Sequence, residues 1–167
     1  IATTAAPESP VRHRLTGRDR AMLYRLAAET GLRRNELRSL TRAAFDLDAK
    51  VVTVTATNTK NRKTATLPLR PEMAEELRTY LDRERRAAPK ATAFPCVPQA
   101  TAMMLRADLA AADIPYEDER GRVFDFHALR HLFITNLARG GVAPKVAQAL
   151  ARHSTPVLTL AVYTHAG

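Results

Sequence analysis

Two basic clusters and a tyrosine near the end of the chain are the residues best suited to chemistry. One cluster is His-Ala-Leu-Arg-His at residues 127–131, the second is Arg-His-Ser at residues 152–154, and Tyr163 follows both. Residues three apart on a helix share a face, so His127 and Arg130 can converge on one small anion. The pattern predicts a phosphate-binding site built from an imidazole and a guanidinium.

Tyr163 is the candidate nucleophile beside that anion site. A tyrosine hydroxyl has an ordinary pKa near 10, so ionising it at pH 7 costs about 4 kcal/mol. Fixed cations around the hydroxyl lower that cost. We interpret the arrangement as attack of Tyr163 on a phosphodiester. The alternative is structural: Tyr163 anchors a terminal helix, and His127 is a core histidine bonded to the backbone.

Composition favours a nucleic-acid partner. The chain has 26 Lys and Arg against 17 Asp and Glu, a formal net charge of +9. Such an excess of positive charge favours polyanionic partners. No apolar run approaches the roughly 18 residues that a membrane-spanning helix needs, so we expect a soluble, cytoplasmic protein without a membrane partner. Cys96 is the single cysteine, which excludes an internal disulfide and a multi-cysteine zinc site.

Length favours one domain. The chain has 167 residues, of which 46% are hydrophobic, enough for one core, whereas two domains of half this size would each be marginal. Residues 1–15 contain two prolines and mixed charges and are expected to form a linker or lead-in arm. Residues 16–167 are expected to form the domain.

Local patterns predict a mainly α-helical fold with one small antiparallel β-sheet. Thr16-Gly-Arg-Asp19 is a capping box in front of a helix that runs to about Thr30 and is broken by Gly31. Helical spacing then resumes from Arg34. The β-branched alternation at residues 51–55 and the run from Thr64 predict a hairpin.

Basic residues and further helices complete the predicted elements. The hairpin tip carries Lys60, Arg62 and Lys63. Met103 and Met104 are expected in the core. The remaining helices are expected over residues 71–87, 99–112, 127–139, 144–152 and 156–163.

Four motifs, in order, resemble the catalytic domain of the tyrosine recombinases, or phage-type integrases. Residues 30–40 (TGLRRNELRSL) resemble the first arginine box of that family, and residues 60–69 (KNRKTATLPL) its hairpin with a catalytic lysine. Residues 126–137 (FHALRHLFITNL) resemble the second box, and residues 150–154 with 163–165 the terminal one. The resemblance covers nearly the whole chain.

The resemblance implies the DNA breaking–rejoining fold of that family and strand cleavage through a 3′-phosphotyrosine bond, without metal or other cofactor. The implied catalytic residues are Arg33, Lys60, His127, Arg130, His153 and the nucleophile Tyr163.

Each implied residue has a role. Arg33 and Arg130 would grip the non-bridging phosphate oxygens. Lys60 would protonate the leaving 5′-oxygen, His127 would assist the tyrosine proton or bind the phosphate, and His153 would hold a phosphate oxygen.

A second set of residues is expected to support the site or to contact DNA. Glu36 is the expected supporting residue. The expected DNA-binding residues are Arg34, Arg62, Lys63, His131 and Arg152. The implied partner is double-stranded DNA at a specific site, with a homotetramer on DNA for the full-length protein.

The chain also departs from the family pattern. Arg152 stands where a glycine is frequent, and His153 and Tyr163 lie ten positions apart, one more than in many members. The usual amino-terminal core-binding domain of the family is not expected within these residues.

Three other functions remain compatible with parts of the pattern. A type IB topoisomerase would use the same intermediate but rejoin the original strand. A non-enzymatic DNA-binding module would retain the basic surface with Tyr163 in the core. A metal-dependent nuclease would need paired carboxylates at ligand spacing, which the sequence does not offer.

Overall fold

The computed structural model describes residues 10–59, 62–83 and 88–164. Within these ranges the fold is mainly helical with a three-stranded antiparallel sheet, so the predicted fold class is confirmed. The helices are α1 (Gly17–Thr30), α2 (Arg34–Ser39), α3 (Pro71–Arg83), α4 (Thr101–Ala110), α5 (Ala128–Arg139), α6 (Pro144–Ala151) and α7 (Pro156–Tyr163). The strands are β1 (Phe45–Asp46), β2 (Val51–Val54) and β3 (Ala65–Pro68). Each of the described helices is too short or too polar to cross a bilayer.

Helix α1 begins and ends where the sequence predicts. The Asp19 amide donates to the Thr16 hydroxyl at 3.1 Å, and the Thr16 amide donates to the Asp19 carboxylate at 2.8 Å, which is the predicted capping box. Gly31 ends the helix in the left-handed region at φ 60°, and its amide donates to the carbonyl of Ala27. A Cβ at this position would lie 2.5 Å from the ring of Phe133, so both the backbone and the packing require glycine.

The predicted hairpin is formed by β2 and β3. The strands are paired from Val51 opposite Pro68 to Val54 opposite Ala65, and β1 adds to the other edge of β2. Val52 and Val54 are buried while the intervening residues are more exposed, as the alternation predicts. The sheet therefore packs one face on the core.

The core joins the sheet to α1, α3 and α4, and the last three helices form a layer beside it. Helix α5 packs against α1, while α6 and α7 pack against α5. Phe133 and Ile134 of α5 and Ala151 of α6 form a small second cluster. This layer brings the end of α6 next to the turn that connects α1 to α2.

One expectation differs from the structure. Met104 is fully buried, but Met103 is 68% exposed, so the prediction is wrong for Met103; neighbours on a helix point about 100° apart, and only one faces the core.

The linker or lead-in arm over residues 1–15 stays a prediction. Within its described part, Leu15 is fully buried, and Nε of Arg12 lies 3.4 Å from the carboxylate of Asp108.

A buried polar network joins α1 to α4. Asp108 accepts two hydrogen bonds from Arg20, at 2.7 and 3.1 Å, and one from the Tyr24 hydroxyl at 2.7 Å. Arg20 also donates to the carbonyls of Leu15 and Pro10. Burial raises the pKa of Tyr24, and the hydrogen bond and negative charge of Asp108 raise it further, so Tyr24 stays a neutral donor. The network fixes the lead-in segment, α1 and α4 together.

Replacing Asp108 by Ala should destabilise the fold strongly. Arg20 is fully buried, and removing one partner of a buried ion pair leaves an uncompensated charge that costs about 3–5 kcal/mol. Urea unfolding followed by circular dichroism measures the loss. The control is Asp48→Ala, which removes the exposed partner of Arg78 and should leave the midpoint nearly unchanged. Equal midpoints for the two variants would contradict the structural role of Asp108.

Candidate functional site

A basic cleft of about 680 Å³ lies between the start of α2, the segment after β2 and the start of α5. It is walled by Arg33 and Arg34 on one side, by residues 57–59 on another, and by His127 and Arg130 opposite. The lining thus brings together residues from two of the four sequence motifs, those at residues 30–40 and 126–137, with the segment that directly precedes a third. The basic side chains of this lining can bind an anion.

Glu36 organises the first wall. Its side chain is almost fully buried and accepts the backbone amide of Arg33 at 2.8 Å and Nη1 of Arg33 at 3.2 Å. The same residue therefore caps α2 and holds the Arg33 guanidinium, which is 29% exposed toward the cleft. Glu36 also accepts Nη2 of Arg152 at 2.9 Å.

Arg130 is held by two backbone carbonyls. Its Nη1 donates to the carbonyl of Gly31 at 2.5 Å, and its Nη2 donates to the carbonyl of Ala151. Only 3% of the residue is exposed. Burial lowers the pKa of Arg130 to about 9, and repulsion from Arg33 and Arg152 acts in the same direction. The guanidinium is still charged at neutral pH.

The start of α5 orients His127. The Asp125 carboxylate accepts the backbone amide of Ala128 at 3.0 Å and so caps the first turn. Sequence reasoning missed Asp125, although aspartate just before a helix is a strong capping signal. The rings of His127 and His131 meet edge to face at 5.2 Å. Burial lowers the pKa of His127, and the charges of His131 and Arg130 add to the effect.

His153 follows α6 and is fixed by α7. Its Nδ1 lies 3.0 Å from the Thr159 hydroxyl, and Thr159 is buried. Burial lowers the pKa of His153 to about 4, and the positive charges of Arg130 and Arg33 contribute next. His153 is therefore neutral at physiological pH and close enough to these guanidinium groups to feel their charge.

Tyr163 ends α7 and does not line the cleft. Its hydroxyl donates to the carbonyl of Val142 at 2.5 Å. Burial raises the pKa of Tyr163, whereas the sequence led us to expect cations that lower it. In this arrangement the hydroxyl is a neutral donor to the loop between α5 and α6.

The remaining candidates fall in three groups. Lys60 lies outside the described residues, while Thr59 before it lines the cleft. Arg34 donates to the carbonyl of Gln99 at 2.6 Å beside the cleft. The residues exposed at the surface are Arg62, Lys63 and His131.

Arg152 does not lie at the surface. The sequence predicts a contact to DNA, but only 5% of the side chain is exposed, and the guanidinium pairs with Glu36. The sequence carried no signal for this pairing, because 116 positions separate the two residues. Across the described residues, no group of His, Cys, Asp and Glu has the arrangement of a metal site.

The fold and the site define a known class of protein. Residues 4–167 match the model of the phage integrase family, and the chain belongs to that family. The resemblance to tyrosine recombinases drawn from the four motifs is thereby confirmed.

Individual relatives agree with this assignment. Tyrosine recombinase XerD of Xanthomonas campestris pv. campestris is 31% identical over 176 residues, which cover 98% of this chain and 52% of XerD. The integrase of transposon Tn1549, solved with transposon right end DNA, matches with a TM-score of 0.71 and 22% identity over 88% of this chain and 54% of its own. The catalytic domain of bacteriophage HP1 integrase matches with a TM-score of 0.69 and 21% identity over 99% and 82% of the two chains. The chain spans about half the length of XerD.

The low pKa of His153 predicts how stability depends on pH. The unfolded chain, with a histidine pKa of 6.5, binds a proton more readily than the folded protein, where the pKa is about 4. Stability is therefore lost as pH falls from about 6.5 to 4. His153→Gln should show a shallower loss over this window in thermal unfolding. Titration of the His153 ring by NMR, with the variant used to assign its signal, provides the direct check; a midpoint near 6.5 would show that burial and the nearby arginines do not depress this pKa.

Proposed function

We propose that this chain is the catalytic domain of a site-specific DNA recombinase, which cleaves and rejoins strands through a 3′-phosphotyrosine intermediate. The observation that carries the proposal is the cluster of three guanidinium groups around one carboxylate at the cleft. Arg33 and Arg152 pair with Glu36, and Arg130 lies close enough to both arginines for their charges to lower its pKa.

The charge of this cluster suits a reacting phosphate. Three arginines against one carboxylate leave two positive charges in a largely buried site. A phosphodiester carries one negative charge, and its pentacoordinate transition state carries two. Fixed, preorganised donors stabilise the developing charge without reorganising at the moment of reaction. Arg33 and Arg130, which line the cleft, are the donors assigned to the non-bridging oxygens.

The proposed step transfers the phosphoryl group from a DNA oxygen to tyrosine. The Tyr163 oxygen forms a bond to phosphorus, the bond from phosphorus to the 5′-oxygen breaks, and a 5′-hydroxyl is released. Lys60 supplies the proton to that oxygen; the lining of the cleft by Thr59, its neighbour in the chain, supports this role. His127 takes up the tyrosine proton, which its depressed pKa permits because the ring is neutral at physiological pH. His153, also neutral, donates a hydrogen bond to a phosphate oxygen.

Cleavage requires Tyr163 to leave its present partner. The hydroxyl has to give up the Val142 carbonyl and approach the cleft, where Arg33 and Arg130 would favour its ionised form. We therefore expect the reactive geometry to form when DNA is bound. The positive charge of this cluster attracts the phosphate that Tyr163 then attacks.

Relatives support double-stranded DNA as the partner. The matched Tn1549 integrase was solved with transposon DNA, and the 31% identical relative is a recombinase by name. Arg34 beside the cleft and the exposed Arg62, Lys63 and His131 are assigned to the DNA backbone. Assembly of the full-length protein as a homotetramer on two duplexes belongs to the same proposal.

The nucleophile is tested with a nicked duplex of the attachment site, which traps the covalent product. The parent should give a protein–DNA band on a denaturing gel in the presence of chelator. Tyr163→Phe should give none while binding the duplex with similar affinity. If both variants bind the site and neither forms the band, Tyr163 is structural and the chain is a DNA-binding module.

Arg130→Ala tests the anion donors. Removal of one transition-state donor costs about 100-fold or more in rate, so adduct formation should fall by at least that factor while most DNA binding remains. Arg139→Ala, which removes an exposed arginine at the other end of α5, is the matched control and should cleave at the parent rate. Unchanged cleavage by Arg130→Ala would contradict the role assigned to it.

A further inference from the structure

The backbone of Arg152 adopts a left-handed conformation, which is uncommon for residues other than glycine. It ends α6 with φ 55° and ψ 41°, in the left-handed region that favours glycine. Its side chain turns inward, and its Nη2 lies 2.9 Å from Glu36 and 3.3 Å from the carbonyl of Gly31. Nη1 donates to the carbonyl of Leu150 at 3.2 Å. Strained backbone of this kind persists where surrounding contacts over-determine it.

We infer that Arg152 is a positioning residue for strand cleavage, which holds Glu36 and, through Glu36, sets the guanidinium of Arg33 against the phosphate. The inference rests on the proposed function. It goes beyond that function because the sequence assigns to Arg152 only a contact with DNA. The residue acts on the reaction without touching the DNA.

The geometry of the Glu36 carboxylate gives the first argument. Oε2 accepts both the Arg33 amide and Nη2 of Arg152, while Oε1 accepts Nη1 of Arg33. Without Arg152, the buried carboxylate would have Arg33 as its only guanidinium partner among the described residues. A buried carboxylate is costly unless a nearby positive charge compensates it. Arg33 would then be drawn toward Glu36 and away from the cleft. Arg152 supplies part of this compensating charge, so the remaining donors of Arg33 are available to bind the phosphate.

The Gly31 carbonyl gives the second argument. It accepts Nη1 of Arg130 as well as Nη2 of Arg152, and Arg130 in turn donates to the carbonyl of Ala151, the residue before Arg152. The end of α6 and the turn after α1 are therefore tied together twice. Removing Arg152 would therefore loosen the contacts that position Arg33 and Arg130, the two phosphate-binding arginines.

Burial separates this role from a DNA contact. With 5% of the Arg152 side chain exposed and both terminal nitrogens bonded within the protein, the guanidinium has no path to a backbone phosphate. Arg62, by contrast, is exposed at the hairpin. The two arginines should therefore differ in how they affect binding and rate.

The test measures two quantities for Arg152→Gly, because glycine adopts φ 55° without strain. The first is the rate of covalent adduct formation on the nicked duplex at saturating protein, which reports only folded, bound molecules. We expect it to fall about 10- to 100-fold, since a misplacement of about 1 Å in a reacting group costs roughly 100-fold. The second is the dissociation constant for DNA and its salt dependence, which should match the parent.

Two further variants distinguish positioning from loss of structure. Arg152→Lys keeps a positive charge beside Glu36 and should recover part of the rate. In a double-mutant cycle, Arg152→Gly combined with Glu36→Gln should be no slower than the slower single variant, because the two residues act in series. Lys50→Gly is the matched control, since Lys50 also has φ 55° but lies on the exposed turn after β1; it should cleave at the parent rate.

Each outcome is informative. A parental rate for Arg152→Gly would overturn the inference, as would a salt slope lowered by about 0.9, the value for one lost phosphate contact. Multiplicative effects in the double variant would also overturn it, because Arg152 would then act independently of Glu36. Absence of any adduct from the parent on a site that it binds would instead remove the proposed function, and with it any role of Arg152 in cleavage.

Discussion

The central constraint on this molecule is the burial of several guanidinium groups around a single carboxylate. Arg130 and Arg152 are almost inaccessible to solvent, Arg33 is partly so, and among the described residues Glu36 is the acidic side chain that pairs with Arg33 and Arg152. Charges of one sign repel strongly where water is scarce. Burial depresses the pKa values of Arg130 and His153, and that repulsion depresses them further. The protein tolerates it because backbone carbonyls and Glu36 hold each group, and the residual positive charge is what a phosphate would neutralise.

The surrounding elements are arranged to supply those partners. Helix α1 ends at Gly31, whose carbonyl is turned toward Arg130 because the left-handed conformation reverses the chain. The ring of Phe133 packs closely at Gly31 and fixes α5 against that turn. Arg130, on the same helix, is thereby placed within reach of the Gly31 carbonyl. Helix α6 then ends at Arg152, so that its last carbonyl and its terminal side chain both face the site. Packing between the helices thus determines where the charged groups of the cleft lie.

How far the sequence alone predicted this arrangement depended on whether the signal was local. The capping box at Thr16 and the break at Gly31 could be predicted because each depends on neighbours a few residues away, and the family motifs predicted which basic residues form one site. The pairing of Arg152 with Glu36 and the bond from Tyr163 to Val142 were not readable, because both join segments that only packing brings into contact. Single-residue detail on helices was also limited: the pattern did not tell Met103, which faces solvent, from the buried Met104.

The two carbonyls that hold Arg130 lie 120 positions apart in the chain, at Gly31 and Ala151. A ribosome therefore synthesises the second of them 120 residues after the first. Until then Arg130 lacks half of its support, and a guanidinium in a partly folded chain remains hydrated and mobile. An incomplete nascent chain therefore carries the basic residues without an assembled anion site. The anion site is therefore assembled only after the segment that carries Ala151 has packed against α5 and the turn at Gly31.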